Sequence, residues 1–304
     1  LAEAQFYPND YDGIWPSCPA INWTQFLASG LWAVTVMNEY DHILGFHKIN
    51  AFRDAVHNSV GGKENYFQVE ERIDFDPYTI LGQKTKGGKI TEKDCLVMQE
   101  IWKGPHTTGN DFLWYSFLPG GTFWNKIIPI GSFYYPLIGK RPKCFSLVEQ
   151  YVHLAFEDPK KDLLHLKIRD FEKVFDTCIR KLGWLSCDHA DLRPFANAGG
   201  KLIIDHGLDD PLIPVEGTID YYHHMREIHG GQNFIDRFCR LYINPGDGHG
   251  NCHTNGPGMT ESTGIQALMN WVEHNKAPEN LPAVLVNQKT GKTIRKGIVK
   301  PWRV

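Results

Sequence analysis

Two stretches of this chain follow one plan, and together they restrict the fold more than any other feature. In residues 199–214, GGKLIIDHGLDDPLIP, the short run Lys201-Leu202-Ile203-Ile204 breaks into the polar turn His206-Gly207-Leu208-Asp209-Asp210-Pro211. In residues 240–250 the run Arg240-Leu241-Tyr242-Ile243 breaks into Asn244-Pro245-Gly246-Asp247-Gly248-His249-Gly250. Runs this short and this apolar predict strands buried on both faces. Parallel strands bring the loops at their carboxyl ends to one edge of the sheet, where ligands collect. A carboxylate, Asp209 or Asp210, and the imidazole of His249 are therefore expected at that edge. Asp210 and His249 stand 39 residues apart, room for one crossover helix (residues 218–229) and the next strand. The class is α/β.

With 304 residues, 42% hydrophobic and 22% charged, the chain has material for one large domain or a domain carrying an insertion. A net charge of −3 supplies no basic surface for a nucleic acid or an anionic membrane. No apolar run approaches the ~20 residues of a spanning helix. No GxGxxG opens a helix after a strand, which argues against a dinucleotide-binding domain. Seven cysteines without CxxC spacing, and the sequon Asn22-Trp23-Thr24, fit a secreted, disulfide-bonded glycoprotein. The odd count leaves one free thiol or a partner elsewhere.

In chain order, residues 1–7 read as a helix stopped by Pro8, and residues 11–15 as a turn into a short strand. Pro16 has no amide hydrogen, so a central ladder would weaken there. Helices are expected over residues 25–40, over 91–102 with Thr91 and Asp94 as a capping box, and over 162–182. From about residue 23 to 188 the strand–helix rhythm is lost. Trp102, Trp114, Tyr115, Phe117, Phe123, Trp124, Phe133, Tyr134 and Tyr135 crowd that section, mostly as core, with aromatic walls that suit a flat phenolic group. The last helix, residues 263–274, is expected to set Ile265, Leu268, Met269 and Val272 on the sheet and to stop at Pro278.

Several segments, in order, resemble the tannase and feruloyl esterase family: AQFYPNDYDGIWPSCPAINWT near the start, Ile73 to Pro77, Ile90 to Pro105, GGKLIIDHGLDDPLIP, INPGDGHG, and ALMNWVEHNKAPENLPA. The resemblance implies an α/β-hydrolase fold lacking its N-terminal strands and nucleophile elbow, with residues 1–24 and 189–304 as core and 25–188 as a large inserted lid domain. It implies a secreted carboxylic ester hydrolase that cleaves esters of hydroxycinnamic or gallic acids through an acyl-enzyme. In that order of nucleophile, acid and His, the family's His-Gly-x-x-Asp spacing selects Asp210 over Asp209, with His249 as base. The nucleophilic Ser is expected upstream of Leu1, so the chain alone is expected to be inactive. Ser59 and Ser132 lack the strand-to-helix setting of an elbow and are rejected. The substrate implied is a small aromatic ester, free or attached to plant polysaccharide or polyphenol, with no nucleic-acid or membrane partner.

The sequence departs from the family at three places. Trp15-Pro16-Ser17-Cys18 stands where the family has small residues. The family's calcium loop would fall in residues 56–66, where Glu64 is the one carboxylate; six to eight oxygen ligands cannot be assembled there, and no metal or cofactor is expected. The family pairs a Cys directly after the catalytic His with one beside the nucleophile, whereas here Gly250 follows His249 and Cys252 comes later. The rival implication is a non-catalytic remnant that at most binds phenolic or polysaccharide ligands.

Overall fold

A computed structural model describes residues 1–60, 66–67, 73–121, 137–138, 141–142, 144–250, 256–287 and 289–303. From the N-terminus the elements are α1 (Ala2–Phe6), β1 (Gly13–Ile14), α2 (Trp23–Ser29), α3 (Trp32–Glu39), α4 (Phe46–Val60), β2 (Lys84–Thr85), β3 (Gly88–Lys89) and α5 (Glu92–Lys103). There follow β4 (Leu137–Ile138), β5 (Arg141–Pro142), α6 (Ser146–Phe156), α7 (Ile168–Leu182) and α8 (Arg193–Asn197). The chain ends with β6 (Lys201–Gly207), α9 (Val215–Ile228), α10 (Gln232–Ile235), β7 (Cys239–Asn244), β8 (Gly258–Met259), α11 (Glu261–His274), β9 (Leu281–Val286) and β10 (Thr293–Val299). It divides into two compact units, residues 1–21, 64–70 and 187–304 in the first and 22–63 and 71–186 in the second.

In the first unit β1, β6 and β7 form a parallel sheet in that order, with Ile204 opposite Leu241 and Gly207 opposite Asn244. Both expected strands are present, joined through α9, and buried as their composition requires. Pro16 leaves its mark on β1. Its carbonyl accepts from Asp205 N–H at 3.2 Å and Cys18 N–H donates to Asp205 O at 2.7 Å, but Pro16 has no N–H of its own to donate to β6, so the ladder bond before these two cannot form. The regular strand is thus two residues long, followed by an isolated bridge between Ser17 and Asp205.

Helix α11 packs on this sheet, and here the expected face is corrected. Ile265 and Met269 are exposed, while Gly264, Ala267, Leu268 and Trp271 are buried. The wide Trp271 ring sets the rotation, packing with Ile203, Tyr242, Met259, Leu281 and Val299. Asn275, in the left-handed conformation, ends the helix before Pro278 is reached. The antiparallel sheet β8-β9-β10 beside it was not anticipated. Thr293–Val299 is largely exposed, so its hydrophobic pattern carries little of the usual strand signal.

The second unit is mainly helical. Thr91 and Asp94 form the capping box: Asp94 N–H donates to Thr91 Oγ1 at 3.2 Å and Thr91 N–H to Asp94 Oδ2 at 2.7 Å. Asp94 also accepts from Lys48 at 2.6 Å and lies 2.8 Å from His42 Nε2; burial would raise its pKa, but these partners hold it low. The helix expected over 25–40 is two, broken at Gly30 and Leu31. The one expected from residue 162 starts at Ile168, because Asp162 satisfies Leu164 N–H and pairs with His165 in a local turn instead. Trp102 and Trp114 are buried within this unit, whereas Phe123, Trp124, Phe133, Tyr134 and Tyr135 lie outside the described residues.

The cysteine count suggested disulfides, yet all six described cysteines are free thiols, five of them buried as small hydrophobes; Cys252 lies outside the described residues. No helix among the described residues is long and apolar enough to cross a membrane.

Candidate active site

The ends of β6 and β7 lie side by side, and backbone bonds join the loops that follow them. Leu208 N–H donates to Asn244 O at 3.0 Å, and Asp209 N–H to Asp247 O at 2.8 Å. Gly246 takes the left-handed φ of +64°, and a Cβ there would meet the Tyr66 ring at under 3 Å. The turn lays the residue 247–250 segment along the end of β6.

Asp210 and His249 meet at this edge. Asp210 Oδ2 lies 2.8 Å from His249 Nδ1. A carboxylate only accepts, so Nδ1 carries the proton and Nε2 keeps its lone pair. The Asp210 side chain is fully buried, with all its bonds directed: Oδ1 accepts from Leu212 N–H at 2.7 Å and Ile213 N–H at 2.9 Å, and Oδ2 also from His206 Nε2 at 3.1 Å. Burial alone would raise this pKa, but the hydrogen bonds from His206 and His249 outweigh it and hold the carboxyl well below its usual range. The His249 ring is 36% exposed. Its desolvation lowers the pKa, the bond to Asp210 raises it, and the net shift is upward.

His206 was not singled out from the sequence, though its spacing of four from Asp210 at a strand end was the available signal. Its Nε2 also lies 3.2 Å from Ile213 O, a pure acceptor, so Nε2 carries the proton and Nδ1 accepts from the Thr218 hydroxyl at 2.8 Å. That buried ring holds the acid from behind. Asp209 is buried as well, but it is Asp210 that reaches His249.

The sequence marks Cys18 only as one of seven cysteines and as the end of the Trp15-Pro16-Ser17-Cys18 departure. It lies just past the same edge of β1, in the left-handed region at φ 44° and 4% exposed. Its thiol donates weakly to Gly248 O at 3.7 Å and accepts from Gly250 N–H at 3.3 Å. Burial, then the charges of Asp210 and Asp205, push its pKa well up, so the group is a neutral thiol.

One layer below, Asp205 is buried and accepts from Trp15 Nε1 at 2.5 Å, Asn244 Nδ2 at 3.0 Å and the Ser17 hydroxyl at 3.3 Å. Burial nonetheless pushes its carboxyl up to about 6. A folded state that binds this proton more tightly than the unfolded chain loses stability as pH rises from about 4 to 6, on the order of 3 kcal/mol in all. Asp210 works in the opposite sense, losing its contribution as pH falls below the ordinary carboxylate range. Asp205→Asn cannot titrate. The stability of wild type minus that of Asp205→Asn is therefore expected to fall between pH 4 and 7 in urea unfolding, and a flat difference would show that Asp205 is ionised throughout.

A family model described as "Tannase and feruloyl esterase" matches residues 140–302. The chain belongs to the tannase and feruloyl esterase family. It is 29% identical over 303 residues to a probable feruloyl esterase of Arthroderma benhamiae, covering 93% of this chain and 54% of that protein. It thus spans about half the length of that curated relative. Among solved structures, feruloyl esterase B of Aspergillus oryzae superposes with a TM-score of 0.79 at 17% identity, over 99% of this chain and 61% of that one. Tannin acyl hydrolase of Aspergillus niger gives 0.79 at 22% identity, over 99% and 58%. The fold is of the α/β-hydrolase type. Of residues 56–66, the counterpart of the family's calcium loop, residues 61–65 with Glu64 among them lie outside the described residues.

Proposed function

We propose that this chain is the acid-and-base portion of a secreted carboxylic ester hydrolase acting on esters of hydroxycinnamic or gallic acids. The carrying observation is the 2.8 Å contact between Asp210 Oδ2 and His249 Nδ1 on adjoining loops at the carboxyl ends of parallel strands. In this reading a Ser preceding Leu1 attacks the ester carbonyl while His249 Nε2 takes its proton. Asp210 holds the ring in the productive tautomer and stabilises the imidazolium. The imidazolium then protonates the leaving alcohol, and a water activated by the same nitrogen releases the aromatic acid. The first unit is the hydrolase core and the second a lid in this proposal.

The test compares the 304-residue chain with one extended upstream through the serine. Only the extended protein is expected to hydrolyse methyl ferulate or methyl gallate, with a serine-directed phosphonate labelling a residue before Leu1. Labelling within residues 1–304 would move the nucleophile, and an inert extended protein would leave a phenolic-binding remnant as the better reading.

A further inference from the structure

The mechanism above leaves Cys18 unused, although its sulfur stands beside the two groups the mechanism needs. Cys18 Sγ, a carboxylate oxygen of Asp210 and a ring nitrogen of His249 all lie within 4.8 Å of one another. We propose that Cys18, Asp210 and His249 form a binding site for a thiophilic divalent cation of the zinc class, one that blocks the catalytic base when filled.

The donor set selects the ion. A thiolate, an imidazole and a carboxylate match zinc's preference for sulfur and nitrogen, and three protein ligands leave a fourth tetrahedral position for water. Magnesium and calcium, which require oxygen ligands in larger number, are disfavoured. With the thiol ionised and the imidazole neutral, the ligands carry two negative charges, which balance the ion. Zinc–nitrogen and zinc–oxygen bonds of ~2.0–2.2 Å and a zinc–sulfur bond of ~2.3 Å require ligand separations of roughly 3.3–3.6 Å. The 4.8 Å limit therefore leaves about an ångström of adjustment.

The surroundings permit it. The Cys18 sulfur is held by backbone groups, its long contact to Gly248 O and the N–H groups of Gly250 and Gly207, and turning it breaks only weak bonds to sulfur. Asp210 keeps its two backbone donors on Oδ1 and His206 behind Oδ2, the kind of outer support that orients a metal ligand. The ion takes the place of the proton shared between Asp210 and His249 Nδ1. That proton passes to solvent and Nε2 takes one up, so the imidazole stays neutral in its other tautomer. The thiol proton is released outright, one per ion bound. Nε2 then has no lone pair to receive a hydroxyl proton. The binding stands apart from the hydrolytic reading; only the inhibition rests on it.

Cobalt(II) titrated into the purified protein is expected to give a thiolate-to-metal absorption band and one proton released per ion. Zinc should displace it and magnesium should not. Cys18→Ser is expected to abolish the band and weaken zinc binding by more than ~100-fold, since even residues behind metal ligands contribute 10–100-fold. His249→Gln, at a partly exposed loop position, should also lose most affinity and the zinc-induced rise in melting temperature that wild type shows. Cys187→Ser should retain both. No charge-transfer band in wild type, a band that survives Cys18→Ser, or one lost instead in Cys252→Ser would overturn the assignment. In the upstream-extended protein, zinc binding without inhibition would keep the site and remove His249 as the base.

Discussion

Asp210→Asn, in the upstream-extended protein, is expected to lower kcat by about 10⁴, while Asp209→Asn stays within about tenfold of wild type. The reason lies in what each Asp210 oxygen accepts. Oδ1 takes two backbone N–H groups, from Leu212 and Ile213, which cannot turn away, so the oxygen of the new amide must stay with them. Its NH₂ then faces His206 Nε2–H and His249 Nδ1–H, where Oδ2 had accepted from both. His249 answers by moving its proton to Nε2, the nitrogen that the proposed mechanism needs free to accept from the nucleophile. His206 can aim its proton at Ile213 O instead, and a buried donor facing a donor costs about 1–3 kcal/mol of stability. Loss of the carboxylate also removes what raises the His249 pKa, so the acid limb of any residual kcat/KM profile should move to lower pH. Equal losses in the two variants, or the larger loss in Asp209→Asn, would reassign the orienting acid.

The parts of the site that could be read from the sequence are those made by short-range rules. Residues 201–204 and 240–243 are apolar enough to be buried strands and end in Gly- and Pro-containing loops, so strand, loop and shared edge followed from local pattern. The capping box at Thr91 and Asp94 is read the same way. Neighbours brought in from a third strand could not be seen. Cys18 comes near His249 only because β1 pairs with β6, and its left-handed φ at a non-glycine residue has no sequence signature. His206 could be placed on a strand but not assigned a partner, because its bonds to Asp210, Ile213 and Thr218 depend on how the turn closes. Helix α11 failed for another reason: its stripe at 265, 268, 269 and 272 competes with one at 264, 267, 268 and 271. The second wins because it buries Trp271, the largest side chain available.

In the upstream-extended protein, Gly207→Ala is expected to disable the site without touching a proposed catalytic atom, lowering kcat by about 10²-fold or more and stability by about 1–3 kcal/mol. A Cβ at residue 207 would stand 2.2 Å from Gly248 O and 2.5 Å from Asp247 O. These are backbone atoms, which cannot rotate aside like a side-chain tip. Nor can β6 retreat, since it is paired with β1 on one side and β7 on the other. The loop bearing His249 must therefore move away, by about an ångström to restore van der Waals distance. Asp209 N–H bonds to Asp247 O, so that shift pulls on the acid's turn as well as on the base. A misplacement of that size costs on the order of 10²-fold when reacting groups must align. Gly183→Ala is the control: a Cβ there meets nothing within 4 Å, and its φ of −58° suits any residue. The control should match wild type in kcat and melting temperature. The Gly207→Ala loss should fall mainly on kcat, because what moves is the loop that bears His249. If Gly207→Ala kept full kcat with an unchanged melting temperature, the close approach of β6 to the Asp247–Gly248 backbone would not be what sets His249 against Asp210.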